Sequence, residues 1–168
     1  NHDLEILYGD TDSIFVKLPD HIIDKEKFSN EISSKLTMFL KDIILDEFGA
    51  VSFLELEFEK MYSKLFFTSM RGTDIGAKKR YVGSIDYELE FVGMEYIRSD
   101  WTDLAKKFQY ELYQHFFNDE PIELFIKTFI KELKESKYDD LLVYTKRLSK
   151  DPKEYVKNIP QHVKAALL

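Results

Sequence analysis

A chain of 168 residues with a net charge of −7 is long enough for about one domain or a domain and a half. It has no cysteine, which excludes a disulfide framework, a thiolate zinc site and a thiol nucleophile. Charges interrupt its apolar runs every few residues, far short of the roughly 20 that a membrane-crossing helix needs; no signal peptide is visible either, so the expected address is cytoplasmic and no membrane partner is expected.

The first element is a hairpin. The strand-forming runs Ile6-Leu7 and Ile14-Phe15-Val16 flank Tyr8-Gly9-Asp10-Thr11-Asp12-Ser13. Gly9 is expected to supply the backbone freedom of the turn, and Asp10 and Asp12, two residues apart, share a side if the backbone is extended. Close carboxylates suit a hard divalent cation such as Mg²⁺, which takes oxygen ligands and is commonly held by one or two carboxylates together with substrate phosphates. The pattern therefore points to phosphoryl-transfer chemistry. It is not an EF-hand loop: counting from Asp10, Phe15 stands where the invariant Gly belongs and His21 where the bidentate Glu belongs. Gly and Asp are also ordinary turn residues, so the hairpin needs a second witness.

Phe28, Ile32, Leu36, Phe39, Leu40 and Ile43 recur at helical spacing over residues 24–48, with Gly49 placed to stop the helix, which is expected to cover a sheet face. Residues 52–92 read as short strands. Leu54, Leu56 and Phe58 alternate with Glu55, Glu57 and Glu59, so Glu57 and Glu59 share one strand face; Leu65-Phe66-Phe67, Tyr81-Val82 and residues 87–92 follow. Between them lies Arg71-Gly72-Thr73-Asp74-Ile75-Gly76-Ala77-Lys78-Lys79-Arg80-Tyr81. Residues 60–85 hold six basic residues and one acid, a local charge of +5 inside an acidic chain. Such an island attracts a polyanion.

From Trp101 the period changes to helical, with Leu104, Phe108, Leu112 and Phe116 on one face and Ser99 or Asp100 as the expected cap. Beyond Asn118 the chain is expected to stay mostly helical, restarting with Pro121 in a first turn. Charge is segregated along the chain: −9 over residues 1–59, +5 over 60–85, −7 over 86–126 and +4 over 127–168. Acidic density near the hairpin suits a cation, and the positive stretches suit a nucleic-acid backbone.

Taken together, these motifs resemble DNA polymerases of family B. Y-G-D-T-D-S is similar to that family's catalytic hairpin and K-K-R-Y to its duplex-contacting motif. Residues 54–59 resemble the strand preceding that motif, and Gly93-Met94-Glu95-Tyr96-Ile97-Arg98-Ser99-Asp100-Trp101 the segment leading into the thumb. Tyr144-Thr145-Lys146-Arg147-Leu148 and the stretch from Asn158 to Ala166 carry the likeness to the C-terminus. The resemblance implies an α+β fold, with an antiparallel palm sheet and covering helix over residues 1–97 followed by a mostly helical thumb over 98–168. A chain that starts at Asn1 and stops in an apolar run, without the family's upstream aspartate motif or its fingers lysine, is expected to be an excised segment that does not polymerise alone.

What the resemblance implies about chemistry is specific. Asp12 is expected to coordinate metal directly and Asp10 more weakly or through water, in an active site that takes two Mg²⁺ ions when complete; Glu57 and Glu59 are secondary metal candidates. Lys78, Lys79, Arg80 and Tyr81 are expected to meet the new duplex, Lys79 and Tyr81 foremost. Arg98, Lys146, Arg147 and Tyr155 are candidate thumb contacts to DNA. The implied partners are primer-template DNA and deoxynucleoside triphosphates, in a nucleoid-associated protein; a sliding clamp, reached through regions outside this chain, is a partner the resemblance allows. Two other classes stay open: a non-catalytic DNA-binding module, and a metal-dependent glycosyltransferase, whose Asp-x-Asp turn also binds a cation on nucleotide phosphates.

Overall fold

The computed structural model describes residues 4–70, 72–73, 76–157 and 159–168. Arg71, Asp74, Ile75 and Asn158, which take part in the readings above, lie outside the described residues. The fold is α+β. Two compact units divide the chain, Asn1–Tyr62 and Ser63–Leu168; the boundary expected between residues 97 and 98 falls inside the second.

In the first unit, β1 (Glu5–Asp10) and β2 (Ser13–Lys17) form an antiparallel hairpin. The register pairs Glu5 with Lys17, Tyr8 with Phe15 and Asp10 with Ser13, with an irregularity between Ile6 and Tyr8. Helix α1 (Lys25–Phe48) begins where the side chain of Asp24 accepts from the backbone N–H of Lys27 at 3.0 Å. Such a bond satisfies one of the unpaired donors of a first helical turn. The helix ends at Gly49, whose φ of 62° places it in the left-handed region, with its N–H donating to the carbonyl of Leu45.

Residues 54–59 correct a sequence-based expectation, because they form no strand. The N–H of Leu56 donates instead to Thr37 Oγ1 on α1 at 2.8 Å. The alternation that prompted the strand reading is present in part: Glu55, Glu57 and Glu59 are exposed and Leu56 and Phe58 half-buried, but Leu54 is exposed as well. A segment lying against a helix can show the same period-two exposure as a strand, so the pattern cannot distinguish a paired backbone from an unpaired one.

The second unit opens with a three-stranded antiparallel meander, β3 (Lys64–Ser69), β4 (Gly76–Ile85) and β5 (Glu88–Val92), in the order β3-β4-β5. Asp86 and Tyr87 join β4 to β5 with φ of 48° and 70°, the left-handed geometry that suits the twist of a two-residue hairpin. Helix α2 (Asp103–Phe117) follows a short 3₁₀ turn at Glu95–Ile97. Its cap is Thr102, whose side chain accepts from the N–H of Ala105, rather than Ser99 or Asp100. Helix α3 (Ile122–Lys134) starts one residue after Pro121, and a final short helix, α4, spans Gln161–Ala166.

The core lies where the meander meets α2. Val82, Phe91, Met94 and Phe117 are buried together, with Phe66, Leu89, Tyr96, Tyr110 and Tyr113 packed around them. Phe117 rather than Phe116 takes the buried place, while Phe116 lies edge-on to Phe66 at 5.3 Å. A second aromatic cluster joins α2 to α3: Phe108 stacks on Phe125 at 5.6 Å and meets Phe129 at 5.0 Å.

Candidate metal-binding hairpin and nucleic-acid interface

At the tip of the β1–β2 hairpin, Asp10 ends β1 opposite Ser13, so Thr11 and Asp12 form the turn. Gly9 does not supply the turn geometry. It pairs with Ile14 inside the ladder, and a Cβ there would find only an ordinary 3.8 Å contact with Ser13 O. Thr11 adopts the positive φ instead, at 48°. Asp12 therefore sits in the turn rather than on extended backbone, and the period-two argument for its direction does not apply to it.

Asp12 is exposed and Asp10 half-buried. Thr11 Oγ1 donates to Asp10 Oδ1 at 3.2 Å, and Ser13 Oγ donates to the Asp10 carbonyl at 3.2 Å. Below the tip, Tyr8 and Phe15 pack with ring centroids 5.6 Å apart, and Phe15 stacks on Tyr62 at 6.1 Å. The aromatic layer stiffens the hairpin that carries the carboxylates.

Among the described residues, no group of three or more histidines and carboxylates comes together to hold a metal ion. Asp10 and Asp12 fit a partial ligand set: hard oxygen donors at an accessible turn, of the number that Mg²⁺ usually takes from protein. Glu57 and Glu59 are exposed on the irregular segment before Tyr62, and Glu59 lies 3.2 Å from the ammonium of Lys60.

The cationic run lies on β4. Phe67 pairs with Tyr81 and Ser69 with Gly76, so β4 spends five residues where β3 spends two. The surplus forms a bulge containing Lys78, Lys79 and Arg80, and bulges re-aim side chains at functional edges. Lys79 has a φ of 58°, uncommon for a residue with a side chain. Lys78 and Lys79 are exposed, while Arg80 and Tyr81 are half-buried. The ring of Tyr81 lies 5.8 Å from that of Phe67.

Arg80 differs from its neighbours. Its Nη2 donates to both carboxylate oxygens of Glu95, at 2.7 and 2.9 Å. Gln109 Nε2 donates to Glu95 Oε2 at 3.1 Å, and Gln109 Oε1 accepts from the N–H of Tyr96 at 2.6 Å. Burial alone would raise the carboxyl pKa of Glu95, but the hydrogen bonds from Arg80 and Gln109 and the Arg80 charge outweigh it and hold the group at about 2, below its ordinary 4.5. Sequence reasoning did not single out Glu95 or Gln109. The only available signal was a carboxylate just past Gly93, in the segment leading to α2.

The remaining candidates are spread along the second unit. Arg98 grips Asp100 through two bonds, Nε to Oδ1 at 2.8 Å and Nη2 to Oδ2 at 2.6 Å. Lys146 and Arg147 are exposed on irregular chain. The hydroxyl of Tyr155 lies 2.9 Å from Ser149 Oγ, and the ammonium of Lys150 sits over its ring at 4.6 Å. No helix among the described residues is long and apolar enough to cross a membrane.

The family model for DNA polymerase family B matches residues 1–167. DNA polymerase II of Escherichia coli (strain K12) is 38% identical over 175 residues, covering 98% of this chain and 22% of that protein. DNA polymerase 2 of Aeropyrum pernix is 34% identical over 171 residues, covering 98% of this chain and 18% of its own length. DNA polymerase of Archaeoglobus fulgidus is 33% identical over 171 residues, covering 97% and 18%. The chain thus spans about a fifth of the length of these relatives.

Proposed function

This chain belongs to DNA polymerase family B, and from that premise we propose that the protein carrying it is a DNA-directed DNA polymerase that adds deoxynucleotides to a primer 3′ end by two-metal-ion phosphoryl transfer. The observation that carries the reading is the hairpin whose tip holds Asp10 and Asp12, in a chain matched by the family model almost from end to end. Asp12 holds metal directly, Asp10 more weakly or through water, and Glu57 and Glu59 are secondary. When bound, Mg²⁺ supplies positive charge against the attacking and leaving oxygens of the reaction. The chain's own contribution is to keep the carboxylates accessible and fixed on a hairpin stiffened by Tyr8 and Phe15.

Lys78, Lys79 and Tyr81 contact the newly made duplex across its minor groove, where A·T and T·A pairs present similar acceptors, so that pair shape is checked without a preferred sequence. Residues 1–97 act as the C-terminal part of a palm and 98–168 as a thumb, with Arg98, Lys146, Arg147 and Tyr155 on the DNA side. The substrates are primer-template DNA and deoxynucleoside triphosphates, and the setting is the nucleoid. A sliding clamp binds, where one is used, through regions outside this chain. With two of the metal-binding carboxylates and no fingers lysine, the chain by itself is inactive. The sugar-nucleotide transferase reading draws no support from the relatives.

Replacing Asp12 by Ala in the full protein lowers primer extension on the order of 10³-fold, as loss of a group acting directly on transition-state charge does, and leaves primer-template binding intact. Ordinary turnover by the Asp12→Ala protein would overturn the assignment.

A further inference from the structure

Two features outside the hairpin meet at the Lys78–Lys79–Arg80 bulge. One is steric: Gly93, with a φ of 63°, passes so close to β4 that a Cβ on it would lie 1.9 Å from the carbonyl oxygen of Lys79. Only a residue without a side chain permits that approach. The other is electrostatic: Arg80, next in sequence to Lys79, is held by Glu95, two residues beyond Gly93, and Glu95 is tied through Gln109 to α2. Thr68 Oγ1 adds a bond to the Arg80 carbonyl at 3.2 Å. The bulge is thus held on both sides, and its left-handed residue, Lys79, is the lysine that the proposed function sets against the duplex.

We infer that Glu95 is a positioning residue for DNA contact: with Gly93 it fixes the bulge of β4, takes Arg80 out of the set of phosphate-binding cations, and presents Lys79 in one conformation to the duplex minor groove. Partial burial supports this division of labour, because the Glu95 side chain is 16% exposed and that of Arg80 35%. A guanidinium held through Nη2 by a mostly buried carboxylate has its charge offset and its position fixed, which weakens its attraction for a phosphate. The backbone at Lys79 is then preorganised, and its ordering is not charged to DNA binding.

This inference rests on the polymerase reading, and a double-mutant cycle separates the two. In the full protein, primer-template affinity is measured for Lys79→Ala, Glu95→Gln and the double variant, with thermal melting as the check on folding. Glu95→Gln weakens binding about tenfold, and the double variant binds within about twofold of Glu95→Gln alone, because residues acting through one contact are not additive. If Lys79→Ala leaves affinity unchanged, the duplex interface itself is wrong. If Lys79→Ala weakens binding while Glu95→Gln does not, or if the two losses multiply in the double variant, the interface stands and the positioning role of Glu95 falls. Should Glu95→Gln fail to fold, Gly93→Ala takes its place in the same cycle, since the added methyl displaces the Lys79 carbonyl and must show the same coupling to Lys79.

Discussion

Asp12 and Glu95 are both carboxylates, and their surroundings differ. Asp12 stands exposed in a two-residue turn, whereas Glu95 is enclosed by Arg80 and Gln109. For Glu95 the sign of the pH effect follows from the depressed carboxyl. Its stabilising contribution is fully present above pH 4.5 and is lost as pH falls from 4.5 towards about 2. The contribution is on the order of 2 kcal/mol, reduced from the full shift because Arg80 remains partly in water. Acid melting of the wild type against Glu95→Gln checks this: the two curves converge towards pH 2 and stand apart at pH 6. Curves separated equally at both pH values would show that the ion pair does not carry the difference.

At the scale of elements, the helices read from local chemistry and the strands only in part. Asp24 before α1 and Gly49 after it bracket a run of apolar residues at helical spacing, and both ends of the helix fall as those residues dictate. Asp24→Ala removes the bond to the Lys27 amide and costs about 1 kcal/mol, measurable by chemical denaturation. The start of α2 moved to Thr102 because a capping side chain must reach an N–H two or three residues ahead, and Thr102 reaches that of Ala105. The meander is held by a face that no single element reveals. Phe91 of β5 packs on Tyr96, Tyr110 and Tyr113 with ring centroids 4.4, 6.0 and 5.7 Å away. Phe91→Ala is expected to cost about 3–5 kcal/mol, a truncation in a buried aromatic cluster, and to lower the melting temperature more than loss of the α1 cap.

For the whole molecule the acidic total conceals the cationic island. Non-specific DNA affinity follows the number of phosphates neutralised and falls with salt, so in the proposed reading the cations of residues 60–85, Arg80 aside because Glu95 holds it, weigh more than the overall −7. Since Lys79 faces the minor groove in the proposed reading, Lys79→Ala should lower affinity at every salt concentration while changing the salt slope by less than about one unit; a phosphate-binding lysine would change it by about one. Titrations of primer-template DNA across salt concentrations distinguish these outcomes. Family membership extends over residues 1–167, yet the described carboxylates and histidines gather no three-ligand metal site.

Sequence alone determined the class of the fold, the hairpin with its aspartates, the limits of α1 and membership of the family, because each rests on residues close together in the chain or on an ordered set of short motifs. Tertiary structure alone decided three matters. Thr11 rather than Gly9 takes the strained turn position, since the pairing of Asp10 with Ser13 sets where the strands end. Residues 54–59 form no strand, since their alternation reports exposure and not hydrogen bonding. Arg80 belongs to Glu95, since a charge run in sequence carries no record of which cation meets a carboxylate fifteen positions later. Local periodicity and capping act over a few residues, but pairing is settled only when distant segments are brought into contact.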